Sequence, residues 1–138
     1  MTRVVVDPGA FISALIGQRG SAPDLVLRAF AEDRVGVVVS PLLLAELKRV
    51  LGRPRFNRYV DELTKREFVE RVERHAETID DPLDRPAVTR DRDDDYLVAL
   101  AVHAGVDALV SGDRDLLEAG LALPPVWTPR RLAEHLRA

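Results

Sequence analysis

Short runs of β-branched residues alternate along this chain with longer stretches of helical spacing, and two of those runs lead straight to an aspartate. Val4, Val5 and Val6 run into Asp7, and Ala108, Leu109 and Val110 run through Ser111 and Gly112 to Asp113. Residues 35–39 form a third run. Runs this short and this apolar suit strands buried on both faces, which is what a parallel sheet demands. The intervening stretches carry helix punctuation. Ser40 and Pro41 are an N-cap and first-turn pair opening a helix that Gly52 and Pro54 close, and Gly105 closes another over residues 93–104. Residues 10–16 and 21–33 have helical spacing, the second started by Ser21 with Asp24. Residues 53–76 read as helical, with Thr64 and Glu67 as a capping box. A short strand at 77–79, a charged loop at 80–92, a short helix at 113–119, an edge strand at 125–127 and a last helix from Thr128 and Pro129 complete the pattern. Strands alternating with helices predict parallel strands joined by right-handed crossovers. The expected fold is α/β, a three-layer α/β/α sandwich with a central parallel sheet, as a single domain over residues 1–138.

Composition narrows the function. With 138 residues, 46% of them hydrophobic, the chain can bury one core. The absence of cysteine excludes disulfide scaffolds, thiolate nucleophiles and cysteine-bearing zinc sites. A net charge of −3 excludes a protein that coats nucleic acid or anionic membrane by bulk positive charge, so any such contact must be local. Asp7 interrupts the apolar stretch a signal peptide would need, and no run approaches a membrane span. A soluble, cytoplasmic protein is expected.

In open parallel sheets the functional crevice lies outside the carboxyl ends of the strands. Asp7 and Asp113 both fall there, although an aspartate in either place also caps the helix that follows. Glu46 shares a helix face with Leu43, Leu47 and Val50, so its carboxylate points with the apolar stripe. An ionised carboxylate placed so costs several kcal/mol unless an arginine or a cation neutralises it. Asp94 likewise shares a face with Leu97, Val98 and Ala101, with Asp91 one turn earlier, while Asp93 and Asp95 read as a solvated first turn favoured by the helix dipole. Four carboxylates gathered in one crevice repel one another, and a hard divalent cation with oxygen ligands, Mg2+ or Mn2+, resolves that repulsion. Such an ion lowers the pKa of a bound water and offsets charge developing on a phosphoryl oxygen. Metal-assisted phosphodiester hydrolysis is the chemistry that fits.

At these residues the sequence resembles the PIN-domain nucleases, and within them the VapC-like ribonucleases, toxin components of toxin–antitoxin systems. The resemblance rests on Val-Val-Val-Asp7-Pro-Gly-Ala-Phe-Ile-Ser-Ala-Leu, on Val-Ser40-Pro-Leu-Leu-Leu-Ala-Glu46-Leu, on Asp91-Arg-Asp-Asp94 followed by Leu-Val-Ala-Leu-Ala, and on Ala-Leu-Val-Ser111-Gly-Asp113-Arg-Asp115-Leu-Leu. It implies a divalent-metal-dependent endoribonuclease whose acidic set is Asp7, Glu46, Asp94 and Asp113. Asp7 and Asp94 would be the principal metal ligands, with Glu46 and Asp113 completing the pocket directly or through water. Ser111 matches a hydroxyl position beside the last acid, and Asp115 adjoins it in a structural role. The resemblance further implies an RNA substrate, an antitoxin protein as partner and a homodimer. The family usually follows its first aspartate with threonine or serine and then asparagine, whereas Pro8 and Gly9 stand here. Losing such supporting hydrogen bonds typically costs about 10–100-fold in metal affinity or activity. The alternative is therefore a catalytically silent PIN domain that binds RNA or a protein as a scaffold.

Arg19, Arg53, Arg55 and Arg58 are candidates for RNA phosphates or for an acidic partner, or equally for a solvated surface. His75, His103 and His135 lack metal-ligand spacing and read as structural or surface residues. Phe56, Tyr59 and Trp127 could stack bases but read first as packing.

Overall fold

A computed structural model describes residues 1–83, 94–120 and 124–137. Five strands form one sheet: β1 (Arg3–Val6), β2 (Gly36–Val39), β3 (Glu77–Thr78), β4 (Ala108–Val110) and β5 (Val126–Trp127), in the order β3-β2-β1-β4-β5. All four pairings are parallel, with Val5 opposite Val38 on one side and Leu109 on the other. Val4, Val5, Val38, Val39 and Leu109 have no exposed surface, as expected of strands covered on both faces. Helices α1 (Pro8–Ile16), α2 (Ala22–Ala31), α3 (Pro41–Leu51), α4 (Glu62–His75), α5 (Asp95–Ala104), α6 (Arg114–Leu117) and α7 (Pro129–Arg137) flank the sheet. The α/β architecture expected from the alternating runs is the one present.

Two of the differences from the expected helix ends have a clear local cause. α1 begins at Pro8 rather than at residue 10, because the fixed φ of proline suits the first helical position and Asp7 caps it by accepting from the Gly9 N–H. The expected helix over 53–76 is broken. Arg53 is extended, as a residue before proline tends to be, and the chain restarts as a single 3-10 turn at Pro54–Phe56. α4 then starts under Asp61, whose carboxylate accepts from the Thr64 N–H at 2.7 Å, in place of the cap expected from Thr64. Elsewhere the expected punctuation holds, with Ser40 capping α3 and Gly105 in the left-handed region (φ 64°) ending α5. Among the described residues no helix is long and apolar enough to cross a membrane.

The strand order sets the position of the crevice. From β1 the chain moves outward to β2 and β3, then returns to the other side of β1 for β4 and β5. The order therefore reverses between β1 and β4, and the gap above their carboxyl ends is where an open parallel sheet leaves room for a ligand.

Candidate functional site

Asp7 follows β1 and Asp113 lies three residues beyond β4, so both border that gap. The Asp7 N–H donates to the Val110 carbonyl at 2.9 Å, which pins the two strand ends together. Both oxygens of the Asp7 carboxylate are held: Oδ1 accepts from the Gly9 N–H at 2.8 Å and Oδ2 from the Ser111 hydroxyl at 2.6 Å. Ser111, fully buried, also accepts from the Asp113 N–H at 2.9 Å. Asp113 Oδ1 in turn accepts from the Asp115 N–H at 2.8 Å. Ser111 thus orients one acid and fixes the backbone of the other, and Asp115 supports Asp113 through its main chain. Asp7 and Asp113 wall an open groove of about 560 Å³ with Gly9, Ala10, Ser13, Pro23, Gly112 and Pro129.

The substitution of Pro8-Gly9 for the family's usual side chains leaves Asp7 well supported. The bond to Oδ1 comes from the backbone N–H of residue 9, which any residue but proline provides there, and the bond to Oδ2 comes from Ser111. A Cβ at Gly9 would lie 3.5 Å from Asp7 Oδ1, an ordinary contact, so space does not demand glycine.

Glu46 departs from its expected setting. It sits at the margin of the apolar stripe of α3, its side chain 35% exposed, and Arg49 one turn on grips both carboxylate oxygens. That arginine resolves the burial cost in the way a cation otherwise would. The pairing holds the Glu46 pKa below its ordinary value, with Arg53 adding a smaller pull. For Asp7 the direction is reversed: burial raises its pKa most, Ser111 and Gly9 oppose this, and the charges of Asp113 and Glu46 raise it further.

Asp94 stands at the head of α5, partly buried, immediately before the first helical residue. Asp91 and Asp93 lie outside the described residues. Asp95 contradicts the expectation of a solvated turn, since it is only 1% exposed. The cause is that α5 is covered around its circumference from the start, Tyr96 through Ala101 all being buried, so its first turn has no water-facing side.

Two site residues escaped the sequence reading. Tyr96 is buried, and its hydroxyl pKa is pushed up first by burial and then by Glu46, Asp7, Asp94 and Asp81, which places four carboxylates within electrostatic reach of one phenol. Asp81 follows β3 much as Asp7 follows β1. Its Oδ2 accepts from the Leu42 N–H at 3.0 Å, while Oδ1 is buried with no hydrogen-bond partner among the described residues. The signal that could have found Asp81 is the strand-end rule already applied to Asp7 and Asp113: it lies just past the short strand expected at 77–79, in a stretch that reads as a charged loop. Among the described residues, no three His, Asp or Glu side chains converge tightly enough to cage an ion by themselves.

The arginine candidates are all exposed. Arg19 lies in the loop after α1, Arg53 precedes the 3-10 turn, Arg55 stacks on Phe56 at 4.8 Å and Arg58 on Tyr59 at 5.7 Å. The histidines remain apart: His75 pairs with Asp33 at 2.8 Å, and His135 packs on Trp127 with ring centroids 5.0 Å apart.

The family model described as PIN domain matches residues 3–115 of the chain. The chain is 27% identical over 115 residues to an uncharacterized protein, MJ1680, from Methanocaldococcus jannaschii, covering 83% of this chain and 73% of that one. Among solved structures it is similar to the crystal structure of PAE2754 from Pyrobaculum aerophilum, with a TM-score of 0.65 at 16% identity, over 99% of this chain and 90% of the other. The last likeness concerns the fold.

Proposed function

Because the chain belongs to the PIN-domain family, whose members are generally nucleases that use divalent metals, we propose that it is a divalent-metal-dependent endoribonuclease hydrolysing RNA phosphodiester bonds. The observation that carries the reading is the junction at the reversal point of the sheet. There Asp7 and Asp113 are tied through buried Ser111 beside an open groove.

The donor chemistry fits a hard cation. Every candidate ligand is a carboxylate oxygen, and Asp7, whose pKa is raised by burial and by the charges of Asp113 and Glu46, is in a setting where Mg2+ or Mn2+ would favour the ionised form. One or two carboxylates with several waters is the coordination that magnesium favours. Asp7 and Asp94 would be the direct ligands, with Glu46 and Asp113 acting directly or through water. When bound, the ion supplies an acidified water and offsets charge on the phosphoryl oxygens. The chain's own part is positional. Ser111 and Gly9 keep the Asp7 carboxylate in one orientation, Asp115 does so for Asp113, and the groove walled by Gly9, Ser13 and Gly112 leaves a strand room beside them. Exposed Arg19, Arg53, Arg55 and Arg58 offer contacts to RNA phosphates or to an acidic partner.

The finer reading follows the sequence resemblance: a VapC-like toxin, homodimeric and restrained by an antitoxin protein. Its support is the match of the acidic blocks in order and spacing. Co-purification with the product of an adjacent reading frame, a short DNA-binding protein with an acidic or amphipathic tail, is the expected outcome for that role.

Cleavage assays test the enzyme. The purified protein is expected to cut RNA with Mg2+ or Mn2+, and Asp7→Asn or Asp94→Asn to abolish cutting. Wild-type protein that cuts no RNA with either ion would turn the reading to the silent scaffold, and variants that cut as well as wild type would remove these residues from the site.

A further inference from the structure

Glu46, a member of the candidate acidic set, already has a cation on it. The Arg49 Nε donates to Glu46 Oε2 at 3.0 Å and the Arg49 Nη2 to Oε1, a two-pronged grip across one turn of α3. Such a grip takes one lone-pair site on each oxygen, leaving the others for a second partner. A divalent ion approaching Glu46 therefore meets a fixed positive charge and a carboxylate whose orientation the guanidinium holds. The backbone cannot yield: Ser40 caps α3, and Leu43, Leu47 and Leu51 are buried along it. Only the side chains can move. They are exposed enough for the exchange to be inexpensive, with 60% of the Arg49 side chain and 35% of the Glu46 side chain reaching solvent.

We infer that Arg49 sets the divalent-ion affinity of the acidic site by opposing a second cation on Glu46, so that the Arg49–Glu46 pair weakens as the ion is taken up. This rests on the metal-dependent reading above and adds a positioning residue to it. Among the described residues the neighbouring cations do not grip Glu46. Lys48 is paired with Glu73 on α4 at 2.9 Å, and Arg53 acts on Glu46 only by its charge. Exposed ion pairs are weak, so the competition is worth about 1.5- to 5-fold in affinity.

Calorimetric titration of Mn2+ into the full chain, without RNA, reads this directly. Arg49→Gln is expected to tighten Mn2+ binding by about 1.5- to 5-fold, and Arg49→Lys, which keeps the charge but loses the two-pronged grip, to fall between. In a Glu46→Gln background the Arg49→Gln change is expected to give no gain, because the contested carboxylate has gone. Unchanged or weaker binding by Arg49→Gln overturns the inference while leaving the nuclease reading intact. An equal gain in the Glu46→Gln background also overturns it, since the effect is then one of overall charge. Absence of Mn2+ binding by the wild type overturns both.

Discussion

Ser111 has no exposed surface, yet its hydroxyl donates to the Asp7 carboxylate and accepts from the Asp113 backbone. The carboxylate it steadies is an uncomfortable one, because burial and the charges of Asp113 and Glu46 raise its pKa above the ordinary 3.8. A carboxyl that is harder to ionise when folded favours folding fully below its unfolded pKa, and that contribution is lost as pH rises through its folded value. Asp7→Asn removes the loss. Thermal unfolding followed between pH 3 and pH 8 is expected to show the variant gaining on the wild type above about pH 4, and parallel curves would show that Asp7 carries no such load. Glu46 works in the opposite sense: with its pKa lowered by Arg49 it contributes stability at neutral pH that fades as pH falls, a small term for so exposed a pair. At this scale the sequence was a good guide to Asp7, Ser111 and Asp113, which follow strands by one, one and three residues. It could state that Glu46 needed a neutralising partner but not which one, because an i,i+3 arginine on an exposed face forms a pair only where the side chains have nothing better to contact.

Helix α3 shows how local signals and packing divide the work. Ser40, fully buried, accepts from the Leu43 N–H at 3.2 Å, and Pro41 starts the helix, as their order in the sequence predicts. Ser40→Ala is expected to cost about 1–2 kcal/mol, seen as a lowered midpoint in urea with an unchanged slope. The following segment was less legible. Asp61 and Thr64 are both capping residues three apart, and a sequence window cannot choose between them. The packing of Phe68, Val69 and Val72, all buried, fixes the rotation of α4 and with it the earlier start. Pro54 could be seen to end α3, but the 3-10 turn it begins depends on Phe56 reaching the core. Asp95 was misjudged for a related reason. An aspartate in a first helical turn is normally bathed in water, and only the enclosure of α5 reverses that.

For the molecule as a whole, with its net charge of −3, uptake of the proposed ion at the crevice bordered by Asp7 and Asp113 is expected to stabilise the fold. Anything that binds only the folded state stabilises it by mass action, by about 2.7 kcal/mol at a ligand concentration of 100 Kd. Mn2+ is accordingly expected to raise the wild-type unfolding temperature by several degrees, reversibly with EDTA, and to do so much less for Asp94→Asn; an identical shift in both would place the ion elsewhere. The sequence by itself determined the strands, most helix ends, the parallel α/β class and the acids at the strand ends, because hydrophobic period, proline and glycine stops and caps act over a few residues. Tertiary structure alone decided that β1 and β4 lie side by side, although about a hundred residues of chain separate them. That adjacency lets one buried hydroxyl serve both Asp7 and Asp113. Such pairings depend on burial and on which surfaces compete for each side chain, and no window of sequence contains either.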